Sequence, residues 1–126
     1  MSNAMKARDL LLARLHGEGA EASIVDGPLL DIERSPSRVE MKFTVILNVA
    51  NTEKFPRITN ALVRAHYELS PDGEVFSYVV VDELGFSNDL SKPEIAALES
   101  DFKEWIYLLL QRFVGELFKA IEENKV

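Results

Sequence analysis

The sequence predicts an α+β fold: an N-terminal helix, an antiparallel sheet of about four strands, and a long C-terminal helix packed across that sheet. Three observations predict it. Residues 39–49 alternate apolar and polar side chains, the mark of a half-buried strand. Ser70-Pro71-Asp72-Gly73 has Pro in second and Gly in fourth place, a turn that joins two extended runs as a hairpin over 66–79. From Ser91 onward a helix start signal opens a long apolar-periodic segment. Strands that run together, then a helix, read as α+β rather than as alternating βαβ units.

The elements follow in order. Met1-Ser2-Asn3-Ala4 precede a second methionine and read as an expression-tag remnant, so fold reasoning starts at Met5 and assigns one domain to residues 5–126. Met5 to His16 reads as a helix with Leu10, Leu11 and Leu15 on one side, and Gly17 and Gly19 close it. Two short extended pieces follow, Ala22–Val25 and Leu29–Glu33, separated by a turn at Asp26-Gly27-Pro28. A second turn spans Arg34–Arg38, and the strand at 39–49 comes next.

Ile58–Leu69 fits two patterns. As a strand it sets Thr59, Ala61, Val63, Ala65, Tyr67 and Leu69 on one face, with Leu62, Arg64, His66 and Glu68 on the other. As a helix it would begin near Thr52, with Pro56 in its first turn. The strand is the reading adopted here. The helical variant resembles, in element order, size and acidity, the type III secretion chaperone-like fold. That resemblance implies a dimeric chaperone or adaptor. Val75–Leu84 is apolar on both faces, and such strands are usually covered on both sides. Helices can cover one side, so the other hints at a partner.

The final helix is unusual. Ser91 and Glu94 form a capping-box pattern, and Pro93 falls in the first turn, where it is tolerated. Thirty helical residues measure about 45 Å, against a diameter of roughly 35 Å for a compact chain of this length. The helix should therefore break near Ser100–Asp101 or project. Its apolar arc covers more than half the circumference, whereas a surface helix buries a stripe of roughly 100°. One arc belongs on the sheet. The other belongs on the N-terminal helix or on a second copy, and Tyr107, Leu110, Val114 and Phe118 are the residues assigned to that protein interface. Gly115 should cost about 1 kcal/mol relative to Ala, which a close backbone approach would explain.

Composition narrows the function. The chain has 126 residues, 21 acidic and 14 basic side chains, and no cysteine. The absence of thiols excludes disulfides, thiolate metal sites and a cysteine nucleophile, and fits a cytoplasmic setting. No run of about 18 apolar residues suggests a membrane span. A pI near 4.8 argues against nucleic-acid binding. Residues 65–126 carry five basic and thirteen acidic side chains (−8), against nine and eight (+1) for residues 1–64. This is either a solvated acidic surface or one aimed at a basic partner. The small basic group of Arg34, Arg38, Lys42, Lys54 and Arg57 has interspersed acids and no interleaved aromatics.

No phosphate-binding, zinc-protease, nucleophile-elbow or calcium-loop motif is present. His16 and His66 read as surface histidines, and the adjacent pairs Asp82–Glu83 and Glu122–Glu123 diverge too much to act as acid–base couples. No catalytic, metal-binding or cofactor-binding residue is predicted. The expectation is a non-enzymatic protein-interaction module, chaperone- or adaptor-like, homodimeric through its C-terminal helix. The alternative is a small-molecule binding domain with a pocket between sheet and C-terminal helix. An enzyme built on His66 would need that residue in a cleft beside a carboxylate.

Overall fold

The alternating segment becomes the centre of a four-stranded sheet in the computed structural model, which describes residues 2–125. The elements are α1 (Asn3–Gly17), β1 (Glu21–Arg34), β2 (Val39–Ala50), β3 (Ile58–Ser70), β4 (Gly73–Phe86) and α2 (Lys92–Glu122). The strands form an antiparallel meander in the order β1-β2-β3-β4, so the predicted α+β architecture is the observed one. Short connections dictate that order. The Ser35 N–H donates to the Arg38 carbonyl at 2.9 Å to close the first hairpin. In the third, Ser70 pairs with Gly73, whose φ of 120° suits glycine.

Ile58–Ser70 is a strand, with residues 60–69 paired to β2. Residues 51–57 form a loop, closed where the buried Thr52 hydroxyl donates to the Phe55 carbonyl at 3.0 Å. The middle helix required for the chaperone-like layout is therefore absent.

Two element boundaries differ from expectation. α1 begins at Asn3, with Ser2 accepting from the Met5 N–H, so its first turn lies in the segment set aside as a tag remnant. Its buried residues are Ala7, Leu11 and Leu15, spaced four apart, while Leu10 faces outward. The turn at Asp26-Gly27-Pro28 is instead a bulged stretch within one continuous β1. The unbroken β2 beside it supplies ladder partners on both sides of the irregularity, and Gly27 (φ 84°) absorbs the local distortion.

α2 neither breaks nor overhangs. It runs unbroken for 31 residues, about 46 Å, and the strands beneath it run 12–14 residues, also roughly 40–46 Å. A spherical estimate misled, because the molecule is an elongated slab whose helix matches its sheet in length. The capping box forms as expected. The Glu94 N–H donates to Ser91 Oγ at 3.3 Å, and the Ser91 N–H donates to Glu94 Oε1 at 3.1 Å. The Arg34 guanidinium donates to the Ile121 carbonyl at 3.0 Å, placing a cation where the helix dipole favours one.

Both helices bury their apolar residues against one face of the sheet. Met41, Phe43, Val45, Leu47 and Val49 of β2 and Ala61, Val63, Ala65 and Tyr67 of β3 meet Phe102, Ile106, Leu110, Phe113, Val114 and Ile121 of α2. Phe43 and Phe113 pack with ring centroids 6.1 Å apart. Burying each such large side chain contributes about 1.5–3 kcal/mol. The second arc of α2 is taken up by α1, tied to it by the Arg14–Glu116 ion pair.

Candidate functional site

With both helices on one side, the other face of the sheet has no cover from the described residues. Register decides what that face presents. Leu29, Thr44, His66 and Tyr78 lie side by side across the four strands. Asp31, Lys42, Glu68 and Phe76 form the adjoining row on one side, and Asp26, Ile46, Arg64 and Val80 the row on the other. Cross-strand neighbours of this kind interact directly. Leu29 is 65% exposed and Phe76 52%, so the apolar members of the face are open to solvent.

His66 sits at the centre. Its Nδ1 lies 2.6 Å from Thr44 Oγ1, and its Nε2 lies 2.9 Å from Glu68 Oε2. The ring stacks on Tyr78 at 5.6 Å, and Phe76 lies tilted against the His66 ring and edge-on to Tyr78. Glu68 also lies 3.8 Å from Lys42 Nζ. The His66 hydrogen bond is the main cause holding the Glu68 carboxyl below its ordinary range, with Lys42 adding to it. One step along the strands, Arg64 Nε donates to Asp82 Oδ2 at 2.8 Å.

The face is also acidic. The register places Glu21, Asp26, Asp31 and Glu33 of β1, Glu40 of β2, Glu68 of β3 and Asp82 of β4 on it, against only Lys42 and Arg64. Seven carboxylates against two cations leave a balance of −5 with histidine neutral.

A threonine, a histidine and a carboxylate in one hydrogen-bonded chain suggest nucleophilic catalysis, and the geometry can be tested against it. Glu68 satisfies the need for a carboxylate beside His66. The clefts lie elsewhere, so His66 rests on an open surface. Acyl transfer also needs free N–H donors to hold an oxyanion. Thr44 and His66 belong to β2 and β3, which are paired on both edges, so their backbone donors are engaged in the ladder. Among the described residues no three His, Asp or Glu side chains converge as a metal site.

Of the four residues assigned to an interface, Leu110, Val114 and Phe118 lie in the chain's own core. Tyr107 alone remains on the surface, 40% exposed, beside Val79, Val80 and Val81 of β4. Nothing lies within 4 Å of a side-chain carbon built on Gly115, so no element approaches its backbone closely. Most of the basic group found in the sequence is occupied internally, and Lys54 lines a cleft instead. Arg38 pairs with Glu40 and Asp72, Arg57 with Asp89, and Lys42 with Glu68.

A cleft of about 660 Å³ lies between α1, the β2–β3 loop and α2, and a smaller groove of about 440 Å³ lies between β4 of the sheet and α2. Trp105, Phe55 and Leu108 line the larger one, with Arg14, Lys54 and Arg112 balanced by Glu18, Asp101 and Glu104.

The open face escaped sequence reading because alternation reports which residues share a face, not which residues lie opposite them. Phe76, Tyr78 and Val80 on one face of β4 were its visible trace. Comparison with protein-family models, with curated proteins and with solved structures finds no match for this chain.

Proposed function

We propose that this chain is a non-enzymatic protein-interaction module, adaptor- or chaperone-like, that docks a basic partner on the open face of its sheet. The observation that carries the reading is the combination on that face. Exposed Leu29, Phe76, Tyr78 and Val80 supply contact area, and a balance of −5 surrounds them. Aromatic and aliphatic anchors within a charged surround are how interfaces gain affinity, and a one-signed field steers an oppositely charged partner toward them. The stacked and hydrogen-bonded His66 stiffens the surface, so less side-chain freedom is lost on docking.

Affinity capture with the wild-type chain and with Leu29→Asp and Tyr78→Asp tests the reading. A partner that requires both apolar side chains, and that elutes as salt rises, supports it. Capture indifferent to both substitutions overturns it. A small-molecule role is the second reading, and the cleft beside Trp105 and Phe55 favours it. Quenching of the only tryptophan by a bound ligand would report it directly.

A further inference from the structure

The sheet has two outer strands, β1 and β4, and they are defended unequally. β1 breaks register twice, contains Pro28 and bears Asp26, Asp31 and Glu33, all devices that discourage further pairing. β4 also breaks register, at Val75 and near Glu83, but has none of these devices between residues 76 and 81, which read Phe-Ser-Tyr-Val-Val-Val, and neighbouring Val75 is 69% exposed. We propose that two copies of this chain pair antiparallel along the free edges of β4, about a two-fold axis at Val79, to make one continuous eight-stranded sheet with all helices on one face.

The spacing of the two irregularities in β4 points to a second copy and selects the register. A two-fold axis perpendicular to the sheet must pass beside a residue that faces its own copy, because paired residues share a face. Residues 76–82 pair with β3 in unbroken register between irregularities at Val75 and Glu83, so the run has its midpoint at Val79. Centring there keeps the whole run paired and sets each irregularity opposite the other's copy. Within that run Asp82 then faces Phe76 of the second copy, so no charge opposes a like charge. Tyr107 stands beside that centre. A groove of about 440 Å³ runs between β4 and α2, lined by Val79, Val80, Val81 and Tyr107, and the two tyrosines close over the seam. Pairing stops at two copies because each free β4 edge is consumed and the β1 edges are defended. The acidic open face never meets itself in this arrangement and stays available to a partner.

Sedimentation equilibrium and amide exchange on the full chain test the proposal. The expected species has twice the chain mass of 14.2 kDa, with slowed exchange over residues 75–83. Val79→Lys sets two ammonium groups against each other, and Tyr107→Glu sets two carboxylates over the seam without entering the core. Each should raise the dimer dissociation constant roughly tenfold or more. Leu29→Asp, on β1, should leave the dimer intact even where it abolishes partner capture. If Val79→Lys fails to fold, Tyr107→Glu and the exchange pattern decide. A wild-type monomer at every concentration overturns the proposal. So does a dimer that tolerates Tyr107→Glu while β4 amides exchange freely, or one that Leu29→Asp splits.

Discussion

Tyr67 carries a fully buried hydroxyl that finds no hydrogen-bond partner among the described residues. Burial is the main cause raising its pKa well above the ordinary value, and neighbouring Tyr107 and Glu74 add to it. Its ring fills the core and its oxygen contributes nothing there. Tyr67→Phe should therefore stabilise the chain by about 1 kcal/mol in urea denaturation, and a loss of stability would mean that the hydroxyl is bonded after all. Glu68 differs, because its charge is used. Its folded pKa lies below its ordinary 4.5, so its contribution is present above that value and is lost as pH falls through the lower folded one. Stability measured across this acid range should fall more steeply for the wild type than for Glu68→Gln. The alternation of β3 placed both side chains on their correct faces. It did not show that Thr44 and Tyr78 flank His66, because register is a property of pairs of strands.

At the scale of elements, α2 separates what local chemistry dictates from what packing decides. Its start was legible, since Ser91 and Glu94 cap each other through contacts three residues apart. Its wide apolar arc was legible too. The neighbour of that arc was not, because a helix surface carries no record of which element it meets. Leu110, fully buried here, should cost roughly 2–5 kcal/mol when changed to Ala, read from the denaturation midpoint. The exposed Tyr107, changed to Ala, should leave the unfolding of the monomer nearly unmoved. Gly115 has open space where a methyl group would go, so Gly115→Ala should add about 1 kcal/mol of stability. A destabilised Gly115→Ala would restore the idea of a close neighbour at that position.

At the scale of the whole molecule, the fold is a slab with helices on one side and an acidic, partly apolar sheet face on the other. No helix among the described residues is long and apolar enough to cross a membrane. Because Leu29 is mostly exposed, Leu29→Asp should leave the melting midpoint almost unchanged, within about 0.5 kcal/mol of wild type, and alter only what the face binds. A large drop in the midpoint would mean that the residue packs more tightly than its exposure indicates. The sequence by itself determined the α+β class, the strand at 39–49, the hairpin over 66–79, the capped helix and the lack of a known catalytic motif. Each of these rests on interactions within a few residues, where side-chain period, proline, glycine and cap chemistry act directly. Only the tertiary structure decided that α1 takes the second arc of α2, that Tyr107 alone of its predicted interface stays outside, and that three strands line up Thr44, His66 and Tyr78. Those outcomes depend on which surfaces meet across 20 to 100 residues of chain, and surface area buried between distant segments has no local signature.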